Sequence, residues 1–379
     1  MEPQRTRGLF SAFAAVQNPG VLTRAASPAP SATVQKILGQ ATQYNGLEVD
    51  MFGLGNADSI LVTSWNGSSV PSRTLIDGGN VGDGEKILKK LAALKVTRID
   101  HLVCSHPHDD HAGGLLAILG NKNIKIGGLW MHLPWNHIDY ARLSESLARA
   151  NQTKIAGIVT ASLKTQQEMV GEANARGIPI FEPFQGTKIG PLFVCGPSSA
   201  FYEDLLKDFE DLEKLNAFQT ALAEYDAKVE ARDLAAKLFD STGEDDGELG
   251  AGPTDPENES SLILYAAHGA QKLLFTGDAG VKALTAATAA YDLRNLDWMQ
   301  IPHHGSRRNL NMELVDLFRP KIAFVSAVGS TKHPRRKVVN ASKAVKSTVY
   351  STHHPSCTDL HHWYGNVPAR AGYKPATPL

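Results

Sequence analysis

Histidine and aspartate residues crowd one short stretch of the chain. Between Ser105 and Gly114 the sequence reads Ser-His-Pro-His-Asp-Asp-His-Ala-Gly-Gly, with three imidazoles and two carboxylates in six consecutive positions. Imidazole and carboxylate together suit a borderline ion such as Zn²⁺, with Mn²⁺ as the alternative. The other interpretation, a polar loop with incidental histidines, gives no reason for this density of ligating groups. The stretch therefore predicts a metal centre of one or two ions per chain.

The spacing within this stretch divides the ligands between two ions. Alternate side chains of an extended loop point to the same side, so His106 and His108 can hold one ion together. Asp110 and His111 can then serve a neighbouring ion. Asp110 is also the residue that we expect to fix an attacking hydroxide through coordination and hydrogen bonding.

A further carboxylate follows a later predicted strand. Asp278 comes directly after Gly277 at the end of the strand predicted for Lys272–Thr276. A carboxylate at such a strand end can bridge two cations and hold them about 3.5–4 Å apart. The alternative is that Asp278 caps the helix predicted to begin at Val281, and the two roles do not exclude each other.

Two adjacent histidines offer one more ligand. Of the pair His303 and His304, we prefer His304 as the ligand because Gly305 lets its backbone and ring approach an ion closely. His303 would then orient the substrate or support a ligand. The reverse assignment stays open, since either ring could turn inward.

Basic residues surround these later motifs. We interpret them as a rim that binds phosphate, and the alternative is a solvated loop. His333 follows within the second basic segment and could act as an acid that contacts substrate or as an extra ligand. The predicted substrate-binding residues are Arg307, Arg308, Lys332, Arg335 and Arg336.

Predicted strands and helices must bring these motifs together. A short apolar strand, Ile99–Cys104, delivers the histidine-rich stretch at its carboxyl end. Two βαβ-like halves bracket a more helical middle, which places the chain in the α/β class. The other predicted strands are 47–62, 74–76, 178–181, 262–266, 272–276, 298–301 and 322–328, and the predicted helices are 84–94, 144–176, 205–222, 281–290 and 312–318.

Composition predicts the domain boundaries and the cell compartment. We expect a flexible N-terminal arm over 1–45, read as a mobile leader rather than a signal peptide, and a domain over 46–350. That domain carries a helical insertion at about 200–240 and a mobile acidic loop at 243–259. The remaining residues, 351–379, are expected to form a tail that is either packed or flexible. Three scattered cysteines favour a reducing compartment, by default the cytoplasm, and no apolar run is long enough to cross a membrane.

The tail contains several potential ligands of its own. It holds His353, His354, Cys357, His361 and His362. These residues could form a separate structural metal site, but their spacing matches no strong zinc pattern. The net charge of the whole chain is only −1, so any attraction for a polyanion must be local.

The motif His-x-His-x-Asp-His at a strand end resembles the signature of metallo-β-lactamase-fold hydrolases. Phe52–Val62, Leu75–Gly79 and Pro302–Ser306 extend the resemblance to the ComEC-type branch, named for a DNA-uptake protein. It implies a four-layer αβ/βα sandwich with a helical insertion, in which a metal-bound hydroxide attacks an ester. The metal ligands implied or predicted are His106, His108, Asp110, His111, Asp278 and His304.

One departure from that family pattern affects the first metal site. The family often supplies another histidine before the bridging carboxylate, but the corresponding segment here is Phe193–Pro197 and contains none. Cys195 could supply a thiolate or could be a small buried residue. His132 or His137 could swing in, although a packed loop histidine is the simpler expectation. The site beside His106 and His108 is therefore expected to be open or weakly occupied.

The resemblance and the basic rim favour one reaction over two others. We expect a phosphodiesterase or nuclease whose substrate is nucleic acid or a nucleotide. A hydrolase of a carboxylic ester, lactone, amide or thioester would keep the metals but have little use for clustered cations. A catalytically degenerate module, in which the helical insertion recruits a protein partner, is the third possibility. No membrane partner is expected.

Overall fold

The computed structural model describes residues 22–24, 43–137, 164–209, 248–329, 333–353 and 359–379. Within these residues, two large sheets account for most strands. The first sheet has nine strands in the order β18-β1-β17-β2-β3-β4-β6-β8-β9. Its strands are β1 (Leu22–Arg24), β2 (Tyr44–Phe52), β3 (Ile60–Ser68), β4 (Ser72–Ile76), β6 (His101–Val103), β8 (Leu129–Trp130), β9 (Ile180–Phe181), β17 (Asp359–Asn366) and β18 (Tyr373–Pro375).

The second sheet has seven strands within the described residues, in the order β10 to β16. Its strands are β10 (Lys188–Ile189), β11 (Leu192–Gly196), β12 (Ile263–His268), β13 (Gln271–Phe275), β14 (Trp298–Gln300), β15 (Ile322–Val325) and β16 (Thr348–Ser351). The strands from β13 to β16 run parallel to one another. A separate two-stranded ribbon pairs β5 (Arg98–Ile99) with β7 (Lys125–Ile126).

Short helices cover the outer faces of the sheets. They are α1 (Gly84–Ala93), α2 (Asp109–Ala112), α3 (Leu115–Gly120), α4 (Lys164–Ala175), α5 (Ser199–Phe209), α6 (Pro256–Glu259), α7 (Val281–Ala290), α8 (Met312–Phe318) and α9 (Arg336–Ala344). No helix in the described part of the chain is both long and apolar enough to cross a membrane.

Three buried apolar clusters hold these layers together. Val49 and Val62 of the first sheet pack with Phe275 and Trp298 of the second, so this cluster fills the space between the sheets. A second cluster joins α1, α3 and α4 to the outer face of the first sheet. The third joins α7, α8 and α9 to the outer face of the second sheet. The result is the predicted four-layer αβ/βα sandwich, because each sheet buries both of its faces.

Several predicted elements have the expected positions. The helices predicted at 281–290 and 312–318 coincide with α7 and α8. The strand predicted over 322–328 ends earlier, at Val325. The backbone after β15 leaves the sheet because Ser326 turns toward His304, with the ring Nδ1 lying 3.1 Å from the Ser326 carbonyl oxygen.

The C-terminal segment is part of the sheet, which corrects the domain boundary predicted at residue 350. β17 pairs with β2 along its whole length, and β18 pairs with β1. His361 and His362 lie buried in β17, and neither belongs to a group of potential metal ligands among the described residues. His361 instead faces Glu48, with 3.2 Å between Nε2 and Oε1. His354 and Cys357 lie outside the described residues.

The described part of the acidic loop is attached to the rest of the chain. This part, 248–259, ends in α6, where Asn258 and Glu259 are buried. The Gly250 amide donates to the Arg307 carbonyl oxygen at 2.7 Å, which attaches this segment to the chain after the histidine pair. Three predicted features lie outside the described residues. They are the N-terminal arm apart from β1 and residues 43–45, most of the helical insertion (within 210–247), and Lys332.

The pairing of β17 with β2 encloses a group of charged side chains, which makes a testable contribution to stability. Arg370 donates to Glu48 at 2.7 Å and to Asp50 at 2.8 Å, and Glu48 is 0% exposed. Removing Arg370 takes away the cation that contacts both of these buried carboxylates. We expect Arg370→Ala to lower the free energy of unfolding by roughly 3 kcal/mol, measured by chemical denaturation.

The matched control is Arg294→Ala. Arg294 pairs with Asp292 at the surface, where both side chains are more than half exposed. Such a pair contributes at most about 1 kcal/mol. Equal losses of unfolding free energy in the two variants would show that burying Glu48 does not depend on its pairing with Arg370.

Candidate metal centre

The histidine-rich stretch crosses from a strand into a helix. His106 follows β6, and His108 is the N-cap residue of α2, so Asp110 and His111 lie on the first turn of a helix. His106 is 2% exposed and His111 is fully buried. One ligand atom each from His106, Asp110 and His111 lies within 4.8 Å of the others. Three of the four predicted ligands of this stretch therefore lie together, on a helix and the turn before it rather than on one extended loop. His108 is not in this group, so the predicted pairing of His106 with His108 is not the one found.

A second group of ligands joins the two sheets. One ligand atom each from Asp58, His111, Asp278 and His304 lies within 4.8 Å of the others. His111 Nε2 is 3.1 Å from Asp278 Oδ1, and His304 Nε2 is 3.3 Å from Asp110 Oδ2. The structure thus brings together four of the predicted ligands, Asp110, His111, Asp278 and His304.

These residues fit a bound cation. Among the described residues, His106 Nε2 is buried without a hydrogen-bond partner, and the buried atoms His111 Nε2 and Asp278 Oδ1 lie 3.1 Å apart with no other hydrogen-bond partner. A buried polar atom left unpaired costs about 1–3 kcal/mol. Imidazole nitrogens and carboxylate oxygens directed at one another are the donor set that Zn²⁺ and Mn²⁺ prefer.

Asp77 orients His111 and was not assigned from the sequence. His111 Nδ1 donates to Asp77 Oδ2 at 2.8 Å, which leaves Nε2 facing the candidate ligands. The backbone amide and hydroxyl of Ser105 both donate to Asp77 at 2.7 Å. Asp77 has φ 62°, directly before Gly78 and Gly79. A carboxylate at a tight turn after a strand was the available signal.

Asp58 is a second residue that the sequence analysis missed. Gln300 Nε2 donates to Asp58 Oδ2 at 3.0 Å, and the Ser326 hydroxyl donates to Asp58 Oδ1. Burial raises the pKa of Asp58, partly offset by His304 and His111. The only sequence signal was an aspartate next to the apolar run that becomes β3.

Buried charges in the centre balance one another. Burial alone would lower the pKa of His111, but the carboxylates of Asp278 and Asp77 outweigh it and hold that pKa well above its usual value. The pKa of His304 is raised to about 9, because Asp58 and Asp110 outweigh the effect of burial. Burial lowers the pKa of His106 well below its usual value, and the neighbouring His111 acts in the same direction. His106 is therefore neutral and able to donate its lone pair.

Asp278 is not a helix cap, which corrects the alternative considered for it. The N-cap of α7 is Gly280, and no side-chain hydrogen bond caps that position. The carboxylate that reaches the first turn of α7 belongs to Glu259, which accepts from the Ala283 amide at 2.8 Å. The Asp278 carboxylate is therefore left for the candidate metal centre.

The two histidines of the later motif occupy different environments. His304 is 2% exposed and joins the group of ligands, while the His303 side chain is 28% exposed. His303 Nδ1 lies 3.1 Å from Asn309 Oδ1, and its ring stacks on His333 with centroids 5.8 Å apart. The arrangement agrees with the preference for His304 as a ligand and places His303 and His333 beside the centre.

None of the candidates considered for the missing family histidine belongs to a group of ligands among the described residues. His132 donates Nε2 to the Pro183 carbonyl oxygen at 3.0 Å and packs against Tyr202. His137 pairs with Glu182 at 2.9 Å. Cys195 packs in the cluster outside the second sheet, where burial raises its pKa to about 12.

His108 faces carboxylates that the sequence analysis placed in a mobile loop. One ligand atom each from His108, Asp255 and Glu257 lies within 4.8 Å of the others. Burial raises the pKa of Glu257 to about 7. No spacing rule connects segments so far apart in the sequence, so only the fold reveals this group.

A family comparison agrees with this geometry. The model of the metallo-beta-lactamase superfamily matches residues 56–329. The chain belongs to the metallo-β-lactamase superfamily. It is also 28% identical over 85 residues to ComE operon protein 3 of Bacillus subtilis (strain 168). That match covers 22% of this chain and 11% of that protein, so the chain spans far less than two thirds of this relative's length.

Solved structures of similar proteins show limited superposition. The metallo-beta-lactamase fold protein YhfI from Bacillus subtilis is 10% identical with a TM-score of 0.38, over 84% of this chain and 100% of that chain. A diphosphatase from the PhnP family is 10% identical with a TM-score of 0.35, over 82% of this chain and 87% of that chain.

Only some of the basic residues predicted to bind phosphate lie near the turn that holds the histidine pair. Arg307 and Arg308 follow the histidine pair after Gly305 and Ser306 and are half-buried, and Arg307 Nη1 donates to the Ala251 carbonyl oxygen at 3.2 Å. Arg335 is buried, and its backbone amide donates to the Gly305 carbonyl oxygen at 3.1 Å. Arg336 is exposed on α9.

Removing the support of His111 should weaken metal binding. In Asp77→Asn, one acceptor oxygen is replaced by an amide donor, so the side chain no longer accepts from both Ser105 and His111. We expect Zn²⁺ affinity, measured by competition with a chelating dye, to fall about 10–100-fold. Asp109→Asn is the matched control, because Asp109 lies in the same stretch but is exposed and belongs to no group of ligands. Equal affinities in the two variants would contradict the role of Asp77.

The packing of His132 predicts acid sensitivity. Burial lowers the pKa of His132 to about 3, against about 6.5 in the unfolded chain. Between these values only the unfolded state binds the proton, so stability is present above pH 6.5 and is lost as the pH falls toward 3. We expect His132→Gln to reduce the slope of unfolding free energy against pH by up to about 1.4 kcal/mol per pH unit, measured in urea. Identical slopes in parent and variant would refute this.

Proposed function

We propose that this chain is a metal-dependent phosphodiesterase that acts on nucleic acid or nucleotides. One observation carries the proposal: two cationic segments meet at the turn that holds His304. Arg307 and Arg308 follow this turn, and the Arg335 backbone is hydrogen-bonded to Gly305 within it. Arginine forks match the geometry of phosphate oxygens, so they suit a phosphodiester better than an uncharged ester.

The charge beyond the centre favours a polyanion. Residues 333–353 contain no aspartate or glutamate, and Arg336, Lys343 and Lys346 are exposed along α9 and just after it. A surface with one sign of charge attracts phosphate backbones at long range. The resemblance of the motifs to the ComEC-type branch adds support for nucleic acid.

The chain's own residues would divide the work of hydrolysis. His106, His108, Asp110, His111, Asp278 and His304 would hold the ions. Divalent cations in such a site lower the pKa of water and polarise a phosphoryl oxygen. Asp110, whose carboxylate lies beside His304, would orient the attacking water. His303, stacked on His333 and partly exposed, would orient the substrate.

The substrate class can be tested with Arg307→Ala combined with Arg308→Ala. Loss of two cations should weaken both the binding of a phosphodiester and the stabilisation of charge that spreads over its oxygens. We expect kcat/KM for bis(p-nitrophenyl) phosphate to fall at least about tenfold, or ~1.4 kcal/mol. Turnover of p-nitrophenyl acetate, which is uncharged, should change less than about twofold.

Arg319→Ala is the control for general charge loss. Arg319 is exposed and pairs with Asp316 at the C-terminal end of α8. Metal content should be the same in parent, double variant and control. Equal losses on both substrates would favour a carboxylic-ester hydrolase instead. Bound metal with no turnover of either ester would favour a binding module that recruits a protein partner.

A further inference from the structure

The group formed by His108, Asp255 and Glu257 has no explanation in the local structure. Asp255 is the N-cap residue of α6, yet its side chain makes no capping hydrogen bond. Its Oδ1 atom is buried and has no partner among the described residues. Glu259, two residues after Glu257, does have a structural role, because it accepts from the Ala283 amide in the first turn of α7. The carboxylates facing His108 therefore remain to be explained.

The same group lies beside the candidate metal centre. The rings of His106 and His108 have centroids 4.8 Å apart, and His106 Nε2 is buried without a partner among the described residues. Asn258 of α6 places its Nδ2 atom 3.5 Å from His303 Nδ1. The short helix α6 is thus held against the centre from the side of His303, and it carries Asp255 and Glu257 with it.

The geometry points to a metal site in which Asp255 and Glu257 complete the ligand set of His106 and His108. These carboxylates would take the place of the histidine that the family pattern supplies and that this sequence lacks. The nearby Cys195 segment is excluded as the replacement because its thiol packs among apolar side chains outside the second sheet. The inference concerns metal binding alone and is independent of the substrate class.

A carboxylate-rich site has a chemical consequence. Two oxygen and two nitrogen donors form a harder site than three imidazoles, and carboxylate ligands suit Mn²⁺ better than imidazole does. The ion held by His106 and His108 should therefore exchange between Zn²⁺ and Mn²⁺ more readily than an ion held by three imidazoles would.

Metal titration of the full chain tests this assignment without any substrate. Chelator-treated protein is equilibrated with Zn²⁺, and bound metal is measured by mass spectrometry. We expect the parent to bind two ions. Asp255→Asn and Glu257→Gln should each lower the affinity for one of the two ions at least about tenfold and leave the affinity for the other unchanged. Glu248→Gln is the matched control, because Glu248 is an exposed acid of the same segment that belongs to no group of ligands.

Two further measurements make the result decisive. The metal-free variants should unfold at the same urea concentration as the metal-free parent, which separates ligation from folding. His108→Ala should weaken the binding of the same ion as Glu257→Gln does. The variant that combines these two substitutions should lose no more affinity for that ion than His108→Ala alone. The absorption bands of bound Co²⁺ should change in both carboxylate variants. Parent-like stoichiometry, affinity and Co²⁺ spectra in both variants, or a single ion in the parent, would overturn the proposal.

Discussion

The structure depends on the burial of many charges at one point between two sheets. Asp58, Asp77 and Asp278 are each at most 2% exposed, and burial of a carboxylate is unfavourable unless an opposite charge compensates it. In the chain itself, His111 and His304 provide that compensation, since their pKa values are raised. A divalent cation could take over the same role, because buried nitrogen and oxygen atoms face one another at this point.

The sandwich assembles this centre from strand ends. Asp77 and the His106 stretch follow the parallel strands β4 and β6, while Asp278 and His304 follow β13 and β14. Because each parallel strand ends at the same edge of its sheet, four separate segments reach one place. Hydrogen bonds from Gln300 and Ser326 to Asp58 then connect the two sheets at that point. The packed core between the sheets therefore also fixes the distance between the ligands.

The side chains around His108 differ from the family pattern, although the fold that positions them is the same. His132, His137 and Cys195 are each occupied by local packing or hydrogen bonds, so none of them is available near His108. A segment that is acidic in sequence supplies carboxylates there instead. Its approach is stabilised by the Gly250 amide bond to Arg307 and by the burial of Asn258 and Glu259. The cationic segment after the histidine pair thus helps to hold the acidic one.

The sequence alone determined the fold class, the two helices α7 and α8, and the main ligand stretch, because these depend on local periodicity and on closely spaced residues. It also singled out Asp278 and His304, which lie close together in the structure, since both follow apolar strands at glycine-containing turns. It could not identify Asp58, Asp77, Asp255 or Glu257, whose partners are distant in the chain. It also left open whether the C-terminal tail is packed or flexible, because β17 is recognisable as a strand only through its pairing with β2. Tertiary structure decided these points, since contacts between distant segments and the burial of charge leave no periodic signal.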